Sequence, residues 1–213
     1  MQTIGLMKDR AKKNGIIETK GKRYDVTVVT LAFFVISFLG WAYETALMYL
    51  WHGRYFDRGF LTLPFCPIYG APVCLLYLLL GTPQAGKFAS FFEGRFGQKT
   101  GAFWVFLRYV LYFLLSAAFA TFAELSVGLL FEGVGVSLWS YSDQPLNFRG
   151  HICLHVSLLW GVLLTVFMRF IMPSLLRLLA KIPKKFRGIL CLLLLTATLV
   201  DFFWNIAALV RPY

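Results

Sequence analysis

Three acidic residues, Glu44, Glu124 and Asp201, each lie inside a separate long apolar segment of the chain. A carboxyl group in hydrocarbon costs several kcal/mol unless it is paired, hydrogen-bonded or hydrated, and such acids commonly bind ions, protons or polar substrates. We therefore expect the three acids to share a polar interior, with at least one in a binding or proton-linked role. The alternative is that they only form hydrogen bonds or salt bridges that hold helices together.

Two polar stretches rich in proline and aromatic residues, 58–70 and 139–151, fall between the apolar segments. Pro67, Gly70 and Pro72 predict irregular backbone over 65–71, which a membrane tolerates only where protein or water satisfies it. Short or broken helices of this kind line substrate sites in transporters, although a proline-rich turn that caps an ordinary helix is equally compatible. The candidate substrate- or ion-binding residues are Glu44, Arg58, Cys66, Tyr69, Glu124, Asn147, Arg149, His151 and Asp201.

Basic side chains of the same two stretches are the expected counter-ions of the acids, namely Arg58, Arg149, His151 and His155. His151 and His155 have a spacing that two metal ligands on one helical face could use, but an interfacial and a packed histidine explain them more simply. Cys66 and Cys153 belong to the two stretches, and the sequence leaves a disulfide between them open.

No P-loop, Rossmann glycine pattern or nucleophile–base pair is identifiable in the sequence. The sequence therefore predicts no cofactor and no metal, and it places any nucleotide hydrolysis on another chain. Whether the chain is itself an enzyme stays open.

The composition of the chain indicates a membrane protein. Its 213 residues are 59% hydrophobic with a mean hydropathy of +0.69, and a soluble domain of this length would leave too much apolar surface in water. Four apolar runs can span a bilayer at about 1.5 Å per residue: 26–51, 102–131, 152–171 and 188–210. A fifth, 64–81, is shorter. We expect an all-α polytopic helical bundle of about five transmembrane helices, a single domain over 26–213 that follows a basic tail over 1–25.

The basic residues alternate between the connections. Of 21 Lys and Arg residues, 17 lie in the tail and in the regions 82–108 and 169–187. The positive-inside rule then places the N-terminus in the cytoplasm and the C-terminus outside, after five crossings. All three acids fall in the outer half of the membrane in this topology. The net charge of +11 does not indicate nucleic-acid binding, because no basic face or RNA-binding motif accompanies it.

A cluster of phenylalanines lies in the region 86–101, which the predicted topology places inside the cell. Their helical spacing, with basic residues elsewhere around the turn, is typical of a short helix in the membrane interface. An interfacial anchor is one interpretation, and a coupling helix that docks a partner such as an ATPase is the other. The candidate partner-contact residues are Phe88, Phe91, Phe92 and Phe96.

Several short motifs resemble one family. SFLGWAYE (37–44), RGF (58–60), PFCPIYG (64–70), WSYS (139–142), PLN (145–147) and GHIC (150–153) resemble the putative ABC-transporter permeases of the type IV group, small membrane proteins common in Firmicutes. Ser140 stands where Asp is expected in many relatives. The resemblance implies a multi-pass protein of the bacterial plasma membrane, contacts with membrane lipids and a separate ATPase subunit, and it implies no substrate. Because one five-segment chain is small for a permease, a homodimer or a larger complex is expected.

Three functions therefore compete. The favoured one is a transport subunit with an outward-facing polar cavity, in which Glu44, Arg58, Glu124 and Asp201 line the path. The second is an intramembrane enzyme acting on a lipid-linked substrate at the outer leaflet, with Glu44 or Asp201 as acid or base and arginines holding a phosphate. The third is a non-catalytic envelope scaffold or sensor.

Overall fold

The computed structural model describes residues 16–19, 22–55, 59–97 and 101–210, and these residues are mostly helical. The helices are α1 (Val26–His52), α2 (Pro67–Leu80), α3 (Lys87–Phe96), α4 (Ala102–Glu132), α5 (Leu154–Val166), α6 (Met172–Leu179) and α7 (Lys184–Val210). Two short antiparallel strand pairs complete the described part: β1 (Ile16–Thr19) with β2 (Lys22–Asp25), and β3 (Asn147–Phe148) with β4 (Ile152–Cys153). The prediction of an all-α polytopic bundle is confirmed.

Four helical spans are long and apolar enough to cross a membrane: α1, α4, α7 and the continuous span Leu154–Leu179. Three of them match the predicted segments to within a few residues. Leu154–Leu179 runs eight residues beyond the predicted end at Ile171, because a π-helical turn, Phe167–Ile171, joins α5 to α6. Pro173 follows the π-helical turn by two residues, and the local change of hydrogen-bond pattern accommodates a residue that cannot donate an N–H to the helix.

The predicted second segment forms the short helix α2, which begins earlier than expected. Residues 65–71 were expected to be irregular, but the helix starts at Pro67, since proline is well suited to a first helical position. The irregular backbone is instead the preceding segment 59–66, which we call the entry segment. It carries the chain to a helix start beside the middle of α1, because the backbone N–H of Cys66 bonds the carbonyl of Ser37 at 3.0 Å.

The long helices and α2 alternate in direction as they follow one another along the chain. α2 runs antiparallel to α1, since Gly70 lies against Ser37 while Cys74, one turn later, reaches the carbonyl oxygen of Val29 at 3.7 Å. α7 runs parallel to α1, since Arg187 in its first turn donates to the Thr27 hydroxyl at 3.0 Å. α1, α2 and α7 therefore meet at one end of the bundle, which we call the Asp25 end.

The directions of α4 and α5 continue this alternation. The Tyr112 hydroxyl donates to the carbonyl of Gly81 at 2.7 Å, so the start of α4 lies beside the end of α2, at the Asp25 end. α5 returns antiparallel to α4, with Gly161 directly against Ala117 and His151 directly against Gly128. The acids Glu44, Glu124 and Asp201 consequently all lie toward the opposite end, which we call the Glu124 end.

Candidate functional site

One contact between predicted site residues at the Glu124 end joins α1 and α2. The Tyr69 hydroxyl donates a hydrogen bond to Oε1 of Glu44. Tyr69 occupies the first turn of α2, and its ring lies directly on Gly40, one turn before Glu44, where a Cβ would overlap the ring. Glycine at position 40 therefore allows the close approach that brings the phenol to the carboxylate.

A second tyrosine–glutamate pair joins α4 to the loop that follows it. The Tyr141 hydroxyl donates to Oε1 of Glu124 at 2.8 Å. Glu124 is only 8% exposed. Its Oε2 has no hydrogen-bond partner of ordinary geometry in the described part of the chain, although the indole of Trp160 faces this carboxyl from α5. Oε1 of Glu124 is thus held by Tyr141, whereas Oε2 is buried near the Trp160 indole without a hydrogen bond of ordinary geometry.

The loop between α4 and α5 is held in place by its own side chains. Asn147 donates to the carbonyl oxygens of Gln144 at 2.7 Å and Ser142 at 3.3 Å, and its Oδ1 accepts from the Gly150 N–H at 3.2 Å. The indole N–H of Trp139 donates to the carbonyl of His151 at 2.9 Å. Asn147, a predicted site residue, therefore positions the loop that carries Tyr141.

The two pairs belong to one polar cluster. Burial raises the pKa of Tyr141, and the charge and hydrogen bond of Glu124, followed by the charges of Cys153 and Glu44, raise it further. The Tyr69 ring packs edge-on against Trp160 with ring centroids 5.7 Å apart. We refer to Glu44, Tyr69, Glu124, Tyr141 and Trp160 as the tyrosine–glutamate cluster. These five residues are far apart in the sequence, and the fold brings them together from α1, α2, α4, α5 and the α4–α5 loop.

Asp201 has a different role from the two glutamates. Its Oδ2 accepts the backbone N–H of Leu63 at 2.9 Å, and its Oδ1 accepts from Asn205 at 3.1 Å. Asn205 also bonds the Thr62 hydroxyl at 3.3 Å. These contacts fasten the entry segment to α7, so Asp201 helps to fix the start of α2 on which Tyr69 lies.

The predicted counter-ions Arg149 and His151 pair with a different acid. Both approach Oε2 of Glu132, at 3.4 Å and 3.1 Å. Glu132 is the last residue of α4 and was not selected from the sequence, although its position beside a basic loop could have indicated it. Together with Trp139 these residues line an open cavity of about 350 Å³ at the Glu124 end.

The remaining predicted site residues have varied positions. Arg58 lies outside the described residues. Cys66 and Cys153 are both buried thiols, so no disulfide joins them in this structure. His155 is exposed, with its Nε2 3.8 Å from the Cys153 sulfur. Within the described ranges, no group of three or more His, Cys, Asp or Glu side chains could hold a metal ion.

A second cavity, of about 200 Å³, adjoins the tyrosine–glutamate cluster between α1 and α5. Glu44, Tyr69 and Trp160 form its inner wall. The other lining residues are Tyr43, Leu47, Met48, Val156, Leu159 and Leu163. We call this space the α1–α5 cavity.

The four phenylalanines of α3 do not share one surface. Phe88 and Phe92 are buried, with Phe88 edge-on to Tyr112, and Phe96 is partly buried against Trp104. Phe91 is 70% exposed. Of the predicted partner contacts, Phe91 is therefore the one whose ring is available on the surface of the described chain.

Comparisons with known proteins identify the family. Residues 31–206 match the sequence family described as putative ABC-transporter type IV. This range includes all of the tyrosine–glutamate cluster, the entry segment and α3. No curated protein and no solved structure matches the chain at a significant level.

Proposed function

This chain belongs to the putative ABC-transporter type IV family, and from that membership we propose that it is the membrane subunit of a transporter with its polar substrate site at the Glu124 end. ATP hydrolysis takes place on a separate subunit, because the sequence carries no P-loop. The protein resides in the bacterial plasma membrane, with the Asp25 end facing the cytoplasm and the Glu124 end facing outward.

The observation that carries this proposal is that two tyrosine–glutamate pairs lie close together, with the Glu44–Tyr69 pair lining the α1–α5 cavity and Trp160 of the same cavity facing Glu124. Glu44 and Glu124 come from different helices, and each accepts a hydrogen bond from a tyrosine hydroxyl. A buried carboxyl group that only tied helices together would be fully satisfied, since an unmet acceptor costs about 1–3 kcal/mol. Oε2 of Glu124 lacks such a partner in the described part of the chain, which supports a site that receives a ligand.

The surface for the ATPase is the exposed side of α3. This helix lies after α2, at the Asp25 end, and its exposed residues include Lys87, Phe91 and Arg95. Its buried side, Phe88 and Phe92, fixes it rigidly on the bundle. An exposed aromatic side chain between two cations is suited to a protein interface, where aromatic and basic residues often dominate binding.

Purification of the tagged full chain from its native host in mild detergent tests this function. We expect a nucleotide-binding subunit to copurify in stoichiometric amount, and Phe91→Glu to reduce its recovery at least tenfold. Phe186→Glu is the matched control, because Phe186 is a 58% exposed phenylalanine in the first turn of α7, at the same end. Folded protein without any ATPase partner would favour the envelope scaffold, and equal loss in both variants would remove α3 as the contact.

A further inference from the structure

We infer that the open cavity formed by the end of α4 and the α4–α5 loop binds a single neutral sugar ring. We call this space the loop cavity. The inference names a substrate class for the outward end of the chain and in that sense rests on the transport function. It depends on the charge balance of the cavity wall, on its hydrogen-bonding groups, and on how firmly the loop is held.

The charges on the wall of the loop cavity balance. Among the described residues that line it, Glu132 and Arg149 carry opposite charges, and their side chains are 52% and 57% exposed. His151 adds a charge only when it is protonated. An anion beside Arg149 is repelled by Glu132, and a cation beside Glu132 is repelled by Arg149. The wall therefore favours a polar ligand without a net charge.

This pair of side chains presents a donor and an acceptor side by side. Nη2 of Arg149 lies 3.4 Å from Oε2 of Glu132. A guanidinium has five N–H donors and a carboxylate has two acceptor oxygens, so this contact uses only part of either group. A hydroxyl group both donates and accepts, and adjacent hydroxyls on a sugar ring are separated by a similar distance. One hydroxyl then donates to Glu132 while its neighbour accepts from Arg149.

Two serine hydroxyls and two apolar side chains complete this part of the wall. Oγ of Ser140 and Oγ of Ser142 are 2.9 Å apart, and each can donate or accept. A Cβ at Gly150 would lie 2.7 Å from the Ser142 hydroxyl, so glycine at this position leaves room for the serine pair. Val136 and Leu138 also line the cavity, and they offer apolar surface to the C–H groups of a sugar ring.

The loop that forms the cavity is held in one conformation. The Tyr141 N–H donates to the carbonyl of Gly150 at 2.8 Å, in addition to the bonds of Asn147 and Trp139 described above. Arg149 has a φ of 53°, which is uncommon outside glycine and persists where the surrounding structure imposes it, often at ligand sites. A preformed site loses less entropy when a ligand binds. Its volume of about 350 Å³ lies within the roughly 300–1,000 Å³ of small-molecule sites.

Saturation-transfer NMR on the full chain tests the inference. The protein is extracted in lauryldimethylamine oxide and placed in phosphatidylcholine nanodiscs, because glycoside detergents would bring a sugar to the site. The probes are glucose, galactose and mannose, each with its 6-phosphate and its 2-amino analogue. We expect at least one neutral hexose to bind, at least tenfold more tightly than its two charged analogues. No saturation of any of these neutral hexoses, or tighter binding of a charged analogue, would overturn the inference.

A pair of charge variants locates the binding at the loop cavity. Glu132→Gln leaves Arg149 without its counter-charge and should shift the preference toward the 6-phosphate. Arg149→Gln leaves Glu132 unbalanced and should shift it toward the amino analogue. Asp143→Asn is the control, because Asp143 is exposed in the same loop but does not line the cavity, and it should leave the order of affinities unchanged. An unchanged order in both cavity variants would place the binding elsewhere and contradict the inference.

The outcome of this experiment is separable from that of the proposed function, since the NMR measurement needs no ATPase. Hexose binding by a chain that recovers no ATPase would remove the transport function and leave the sugar site standing. An ATPase that copurifies with a chain that binds none of the neutral hexoses would remove the sugar site and leave the transport function.

Discussion

Each glutamate of the tyrosine–glutamate cluster accepts a hydrogen bond from one tyrosine hydroxyl group. The hydrogen bonds from Tyr69 and Tyr141 come from neutral donors, which position a carboxyl group without adding a charge to the site. A hydrogen bond to a charged group contributes about 1.5–3 kcal/mol, less than the cost of moving an isolated carboxylate out of water. Glu124 in particular has no ion pair among the described residues. Among the described residues, Glu124 is therefore positioned by a neutral tyrosine donor and not by a counter-ion.

Asp25, at the other end of the bundle, differs from Glu124 because it is paired with two basic side chains. It caps α1 by accepting the Thr27 N–H at 3.2 Å, and Lys184 and Arg187 lie 3.2 Å and 3.9 Å from its Oδ2. Burial opposes the charged form, but the Thr27 hydrogen bond and the two cations outweigh it and hold the pKa of Asp25 below its usual range. A lowered pKa stabilises the fold above the unfolded-state pKa, and this stabilisation is lost as the pH falls through the folded-state pKa.

Asp25→Asn should therefore destabilise the protein at neutral pH only. Asparagine still caps the helix, so the substitution removes the charge and should lower the stability by about 1 kcal/mol at pH 7. The difference from the parent should vanish as the pH falls below about 4. Thermal unfolding in detergent across this range measures it. Asp143→Asn, at an exposed loop aspartate, is the control and should show no such pH dependence; a constant difference for Asp25→Asn would contradict the role of its charge.

Sequence reasoning identified the acids but not their partners. Glu44, Glu124 and Asp201 are conspicuous because a charge is rare in an apolar run. Their partners depend on tertiary contacts, since Tyr69 lies 25 residues from Glu44 and Tyr141 lies 17 residues from Glu124. Tyr141 lay within a polar stretch already noted, but nothing in its spacing distinguished a glutamate partner from a loop tyrosine.

The packing of helix on helix depends on small residues at a few positions. Gly40 and Gly70 lie where α1 and α2 are closest, and a Cβ at Gly70 would overlap the Ser37 hydroxyl and the Phe33 carbonyl. Close backbone approach is a common way for membrane helices to associate, since no hydrophobic effect drives them together in lipid. The contact also sets the height of α2 along α1, and with it the position of Tyr69.

Gly70→Ala should separate α1 from α2. The methyl group meets the carbonyl oxygen of Phe33, which is fixed in the backbone of α1, so we expect a loss of about 1–3 kcal/mol in stability. Gly94→Ala makes the same change within α3, where nothing lies within 4 Å of the added Cβ, and should be neutral or stabilising by up to about 1 kcal/mol. Thermal unfolding of both variants in detergent gives the comparison. Equal stability of the two would show that the α1–α2 contact is not tight.

Helix boundaries were predictable where hydropathy alone decides them. α1, α4 and α7 end near the predicted residues because polar or basic residues follow the apolar runs. The extension of the third long span to Leu179 was not predictable in this way, since Arg169, within its π-helical turn, and Pro173 both suggest a helix end. The tertiary reason is that Met168, Met172 and Leu176 are buried in the core, so packing maintains a helix that local sequence signals would terminate.

The whole molecule places the exposed face of α3 and the tyrosine–glutamate cluster at opposite ends of the bundle. Arg187, Lys184 and the exposed face of α3 lie at the Asp25 end, whereas the tyrosine–glutamate cluster and Glu132 lie toward the Glu124 end. An ATPase contact on α3 requires that the Asp25 end face the cytoplasm, and the proposed substrate site is then directed toward the outer face of the membrane. Orientation therefore links the two halves of the proposed function, and it can be measured without a substrate.

Single introduced cysteines report this orientation, because all four native cysteines are buried and give little background. Asp143→Cys places a thiol in the exposed loop at the Glu124 end, and Lys185→Cys places one in the first turn of α7 at the Asp25 end. The positive-inside rule assigns the basic end to the cytoplasm. A membrane-impermeant maleimide applied to intact cells should then label Asp143→Cys at least tenfold more than Lys185→Cys, and permeabilised cells should label both equally. The reverse pattern would invert the protein and put the α3 surface outside, where no cytoplasmic ATPase could reach it.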